Sequence, residues 1–471
     1  MRNALLPGLG GPMGRHARPS GMWFNPLPWA FLLATVTFLV LFLRHVPCVQ
    51  TAPNQELDVY SLLCYSDIQT TFLGQGFGRG ASPLGAESML FSPLIAAAIL
   101  VTRKTATAVF DAPIRRSATL GQQIEASTTF FGITTLGLFA CFLLLVASFV
   151  WLGRRRPGRK SWDALLLAAS PIVLASGLIS WDLVPITITA VGLVQLARRR
   201  TVEAGIVLGL AACAGTMPIA VILAVFVAAG LRGGWRKSMA FLVPAVVTFF
   251  AVHLPLLLED FGRVYAFYHQ EINGETGYGS AWYVIELMTG FKVRAAGSLG
   301  FALLILALAV LIAYLYVARK RPRVGSLIAV VILLTVILGP SFTPQTSLWV
   351  LFAVLVARPF RMELVALTIT QVAHYVAIWG WLGGWLTTNQ NGPYVLYWLA
   401  IICRVLVEAW ILVEVMLDIA NPYRDTLRSP DLPDPIGGVL NDGEIVRQPP
   451  TPHHAALEDE LAGYERPTAA P

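Results

Sequence analysis

Charge is scarce in this chain: Asp, Glu, Lys and Arg make up 13% of its 471 residues, against 56% hydrophobic. That shortage excludes a water-soluble domain, because one core cannot hide so much apolar surface. Apolar runs long enough to cross a bilayer recur along most of the length, and the mean hydropathy is +0.66. Metal-ligand spacings, a nucleophile elbow and a glycine-rich phosphate loop ahead of a helix are all missing, so no metal or cofactor is expected. There is no internal repeat, heptad pattern or solenoid period. A cleavable signal is also missing: the first apolar run, about residues 28–46, leads into Cys48 and polar sequence and reads as an anchor. Cysteine is rare, at five residues. Cys141, Cys213 and Cys403 fall in apolar runs, where a thiol acts as a small apolar group. Cys48 and Cys64 fall in one polar loop, either as a disulfide or as two free thiols.

What charge there is has a pattern. The net charge of +7 comes largely from short basic runs between apolar segments. They are Arg154–Arg156 with Arg159 and Lys160, Arg198–Arg200, Arg232 with Arg236 and Lys237, Arg319–Arg323, and Arg358 with Arg361. This is the distribution of cytoplasmic loops, not of a nucleic-acid surface, so no nucleic-acid partner is expected. With Arg2, Arg15 and Arg18 holding the N-terminus inside, each interval between basic runs fits a hairpin that leaves and returns. The intervals give an all-α polytopic membrane protein of about 12 spans, with both termini cytoplasmic. Residues 1–25 form a cytoplasmic segment, 26–420 the membrane domain, and 421–471 a polar tail expected to be disordered. The apolar stretch Ser88–Thr102 is short and contains Pro93. It reads as a dipping or interfacial helix within a long first outer loop, about residues 47–127.

The acidic residues Asp58, Asp67 and Asp182 then share the outer face with the loop from Glu271 to Trp282 and with Thr343-Pro344-Gln345. Carboxylates gathered at one membrane face suit a substrate arriving there. Asp67 is either a turn or cap residue or a general base taking a proton from a hydroxyl. Asp182 is an N-cap, a residue orienting a polar substrate with Trp181 as platform, or both. The aromatic and amide residues from Tyr265 to Tyr283 suit a carbohydrate or an interfacial belt. Arg404, within the last span, either pairs with Glu408 one turn on or holds a lipid phosphate.

Taken together, these segments resemble the actinobacterial polyprenol-phosphate-mannose-dependent α-1,2-mannosyltransferases, glycosyltransferase family 87, of the GT-C fold. The resemblance runs from about residue 45 to 360. It rests on Cys64-Tyr65-Ser66-Asp67-Ile68, Trp181-Asp182, the stretch Ala204–Leu210 followed by Pro218, Gly277–Tyr283 and Thr343-Pro344-Gln345. It implies a GT-C-like bundle in the plasma membrane, working on the extracytoplasmic face. The implied substrates are a polyprenyl-phosphate sugar and a glycolipid or glycan acceptor of the cell envelope, among membrane lipids. Asp67 would be the catalytic base. Asp58, Tyr65, Trp181, Asp182, Tyr278, Ser280, Trp282, Gln345 and Arg404 would contact substrate. The chain departs from the pattern twice: Phe91-Ser92-Pro93 stands where relatives often carry Glu-Tyr-Pro, and Gly215-Thr216-Met217-Pro218 lacks a Lys before the proline. These losses keep open an inactive relative, or a lipid-linked-sugar transporter or scaffold without catalysis.

Overall fold

The computed structural model describes residues 23, 25–52, 55, 57–85, 88–154, 160–233, 235–386, 395–428 and 434–442. Among them the secondary structure is entirely helical, with seventeen α-helices and short 3-10 turns. The first four are α1 (Pro26–His45), α2 (Asp67–Gly74), α3 (Pro93–Phe110) and α4 (Leu120–Arg154). Next come α5 (Ala164–Ala168), α6 (Pro171–Ser176), α7 (Leu183–Ala197), α8 (Thr201–Ala212), α9 (Met217–Gly233) and α10 (Trp235–Glu259). The rest are α11 (Phe261–Asn273), α12 (Ala281–Thr289), α13 (Ala296–Val317), α14 (Val324–Leu338), α15 (Ser347–Ala357), α16 (Arg361–Leu382) and α17 (Val395–Ala420). Local chemistry sets many starts: Asn25, Ser66, Ser170, Asp260 and Ser280 each accept a backbone N–H of the helix that follows.

Six helical stretches are long and apolar enough to cross a membrane: Pro26–Cys48, Pro93–Phe110, Leu120–Arg154, Arg236–Glu259, Ala296–Val317 and Arg361–Leu382. Six further apolar stretches, among them Leu183–Ala197, Val324–Leu338 and Pro344–Ala357, are shorter. Short and long helices differ in burial. Every residue of α15 and the first ten of α14 are buried, whereas α1, α10 and α13 carry exposed Leu, Val, Ile and Phe side chains, as a lipid-facing surface does. α14 and α15 are thus the centre of the bundle, where surrounding helices substitute for length. α8 and α10 pack with backbones almost in contact: a Cβ on Gly205 would lie 2.3 Å from the Phe241 carbonyl oxygen, and one on Gly209 2.4 Å from that of Ala245.

The two ends of the bundle differ. The basic residues Arg198–Arg200, Arg319–Arg323 and Arg358 fall in connections α7–α8, α13–α14 and α15–α16. The turns α6–α7, α8–α9 and α14–α15, which carry Asp182, Thr216 and Gln345, lie at the other end.

Two expectations need correction. The apolar segment read as Ser88–Thr102 is helical only from Pro93 and continues to Phe110 as α3. Both its ends are tied near the acidic end: Leu94 N donates to Cys213 O (2.9 Å), and Arg115 N, just past the helix, donates to Gly78 O (3.2 Å). The tail expected to be disordered from Asn421 is packed over residues 421–428 and 434–442. Asp434 is fully buried and accepts from Arg232 Nη1 (2.9 Å) and Val324 N (2.7 Å). Asp425 pairs with Arg323, and Ile436 and Leu440 are buried beside them. Composition pointed to disorder because the tail is polar, yet a few residues reach a prepared basic end. Residues 443–471, and nearly all of 1–25, lie outside the described residues.

Candidate functional site

At the acidic end the turns enclose a cavity of about 880 Å³. Asp67, Trp181, Asp182, Glu271 and Gln345 line it, brought together from α2, the α6–α7 turn, α11 and the α14–α15 turn. Phe91 and Gly215 line the same cavity.

Each acid is held differently. Asp67 is the first residue of α2, its N–H donating to Ile179 O (2.8 Å), while Ser66 caps the helix and donates to Leu178 O (2.7 Å). These bonds fix the start of α2 against the α6–α7 turn, so Asp67 and Asp182 face one space. Burial pushes the Asp67 carboxyl above its usual range; a hydrogen bond from Tyr65 opposes this and the Asp182 charge adds to it. Tyr65 is braced by the Trp379 ring, tilted 37° to it with ring centroids 4.9 Å apart.

Asp182 stands at the N-cap of α7, but its side chain makes no cap bond. Its carboxylate accepts instead from Ser180 Oγ and from Trp349 Nε1 (3.3 Å), a buried indole of α15. Burial raises its pKa, against those two bonds. Glu271 of α11 lines the cavity as an exposed residue and accepts from Thr216 Oγ1 (3.4 Å). Loss of hydration raises it too, with the Asp182 charge contributing. Glu275, also on the wall, is neutralised by Lys292 at 2.5 Å. Among the lining residues there is no Lys or Arg. Arg263, in the first turn of α11, pairs with Glu259 (3.6 Å) and Asp260 (3.7 Å).

Six of the ten expected site residues lie outside the lining. Asp58 is exposed and accepts from Ser61 N (3.0 Å), the bond of a turn residue; the Ser61 hydroxyl first and this backbone bond second lower its pKa. Tyr65 supports Asp67 from behind. Ser280 caps α12, accepting from Tyr283 N (3.0 Å). Trp282 donates its indole N–H to Leu338 O (3.0 Å). Tyr278 packs edge-on against Trp381 and Tyr283. Of the two alternatives for Arg404, the structure shows the buried ion pair, its Nη1 lying 2.8 and 3.0 Å from the Glu408 oxygens. Cys48 and Cys64 form a disulfide, with Cα atoms 6.1 Å apart.

Sequence reading missed Trp349, Ser180 and Thr216. Trp349 had a legible signal, since it lies only four residues past Gln345, in the first turn of α15. No protein-family model and no curated protein matches the chain.

Proposed function

We propose that the protein is an integral membrane glycosyltransferase of GT-C type. It moves a sugar, mannose on the resemblance, from a polyprenyl-phosphate donor to a hydroxyl of a cell-envelope glycolipid or glycan on the extracytoplasmic face. The observation that carries this reading is the convergence on one cavity of Asp67, Asp182, Glu271 and Gln345, from segments spread over the chain. The carboxylate of Asp67 takes the acceptor hydroxyl proton as the oxygen attacks the anomeric carbon. The bond from that carbon to the phosphate oxygen breaks, polyprenyl phosphate leaves with the electron pair, and the configuration inverts. Asp182, fixed by Ser180 and Trp349, and Glu271 accept hydrogen bonds from sugar hydroxyls, and Trp181 offers an apolar face.

The topology belongs to the same proposal. With α3 left in the first outer loop, the shorter apolar helices and α17 complete about twelve spans, and the basic connections lie in the cytoplasm with both termini, as the positive-inside rule requires. The lack of a lining cation favours a second reading, in which the chain binds lipid-linked sugar without transferring it, as an inactive relative, transporter or scaffold.

The test uses membranes lacking the host's other mannosyltransferases and radiolabelled polyprenyl-phosphate mannose. Transfer to glycolipid by the wild type, lost in Asp67→Asn with insertion unchanged, supports the enzyme and its base. Full transfer by Asp67→Asn sinks the base assignment. Donor binding without transfer by the wild type selects the second reading.

A further inference from the structure

Arg404 and Glu408 are 1% and 0% exposed in the middle of an apolar helix, where charge is expensive. Such a pair adds little stability over well-packed apolar residues of the same volume. Its geometry points elsewhere. Gln371 Nε2 of α16 donates to Glu408 Oε1 (2.8 Å), so the carboxylate that receives Arg404 Nη1 is fixed from a second helix. The other guanidinium nitrogen, Nη2, donates to the carbonyl of Gly279 (2.7 Å), and the guanidinium lies 3.5 Å from the centre of the Phe342 ring. Arg404 thereby grips two segments, 277–279 and 340–342.

Those segments also hold each other. Gly277 N donates to Pro340 O and Phe342 N to Tyr278 O, each at 2.8 Å. Gly279 has φ +73°, and a Cβ there would lie 2.2 Å from Phe342 O and 3.0 Å from His374 Nε2. Pro340, Ser341, Thr343 and Gln345 form the cavity wall directly beyond. The chain of contact runs from Glu408 through the guanidinium to Gly279 and Phe342, and from there to the wall.

We propose that Arg404 is a positioning residue: clamped by Glu408 and Gln371, its guanidinium locks the Gly277–Gly279 loop onto residues 340–342 and so sets the wall that carries Gln345. A planar fork is required, because one nitrogen must face the carboxylate while another faces the carbonyl and the plane covers the ring. The ammonium of a lysine supplies charge without that shape.

The structural part of the claim is independent of what the cavity binds; only its catalytic consequence rests on the glycosyltransferase reading. Amide hydrogen exchange of the detergent-solubilised full chain tests the first, in Arg404→Lys and in the double variant Arg404→Met/Glu408→Leu. The expected result is exchange at Gly277 and Phe342 at least about tenfold faster in both, with the interior of α16 and α17 unchanged. If the double variant does not insert, Arg404→Lys alone carries the test. Wild-type protection of both amides in Arg404→Lys overturns the proposal. In the mannose-transfer assay the loosened wall should lower kcat more than it raises KM, with the pH profile unmoved. Loosened amides with wild-type transfer also overturn the positioning role. A wild type that transfers no mannose counts against the glycosyltransferase reading and leaves the exchange result to decide the clamp.

Discussion

Removing one carboxylate, Asp434, should release the C-terminal segment from the basic end of the bundle. Asp434 is fully buried; Oδ2 accepts from Arg232 Nη1 and from the N–H of Val324, and Oδ1 from Ile436 N (3.0 Å). Asp434→Ala leaves the Arg232 guanidinium, 1% exposed, without this counter-charge. Breaking a buried pair on one side costs about 3–5 kcal/mol. At about 1.4 kcal/mol per tenfold, the open population should rise by about a hundredfold or more. The assay is maleimide labelling of a cysteine placed at Leu440, which is 2% exposed, with and without Asp434→Ala. The exposed pair Arg199–Asp442 is the control, and Asp442→Asn should change the rate little. The pH dependence has a defined sign. Burial would raise the Asp434 carboxyl, but the charges of Arg232 and Arg323 and two backbone N–H groups outweigh it and hold it below its usual range. A depressed carboxyl contributes stability above its unfolded pKa, so labelling should accelerate only as the solution is acidified through the ordinary carboxylate range and below. An Asp434→Ala rate within threefold of its parent would refute the reasoning.

Other outcomes follow from the cavity and its supports. With Asp67 as base and its carboxyl raised, the acid limb of the transfer profile should lie above the ordinary aspartate value of about 3.9; Asp182→Asn should move it lower, because the neighbouring charge is gone. Trp349→Phe removes one of the two donors that hold Asp182 and should cost about 1–3 kcal/mol of the interactions that depend on it, read as a fall in transfer with insertion intact. Gly279→Ala meets a left-handed φ and a carbonyl oxygen at 2.2 Å, so it should destabilise by more than about 1 kcal/mol in a detergent melt. Reducing Cys48–Cys64, which closes a separation of 16 residues, should lower stability by about 3 kcal/mol, and intact protein should gain two alkylatable thiols after reduction.

The sequence carried much of the site through the acids alone. Asp67 and Asp182 stand out because charge is rare in an apolar chain, and both reach the cavity. The aromatic loop misled for a physical reason. A polar-tipped aromatic or a serine at a helix start looks the same whether it meets a sugar or a neighbouring carbonyl, and Trp282 and Ser280 chose backbone. Glu408 at i+4 of Arg404 was legible as an ion pair, whereas the bond to Gly279 O, 125 residues away in sequence, was not. Asp434 is the same case, its partner Arg232 lying 202 residues earlier. Composition describes what a tail can bury by itself and is silent on what is waiting for it.

The length of α4 fixes a height. Its 35 residues extend about 52 Å at 1.5 Å per residue, against a hydrocarbon core of about 30 Å. If its Arg154 end sits at the basic interface, the first fourteen or so residues stand clear of the hydrocarbon, by about 20 Å. α2 leans on that projecting mast: Phe72 packs on Phe130 with centroids 4.7 Å apart, and Gly78 lies against Gln123. On that placement Asp67 would stand at the level of the headgroup layer rather than in the oily interior. A lipid-linked sugar entering at that depth would leave its phosphate among the surrounding headgroups and their counterions, and a cavity without lysine or arginine would have only the sugar to hold.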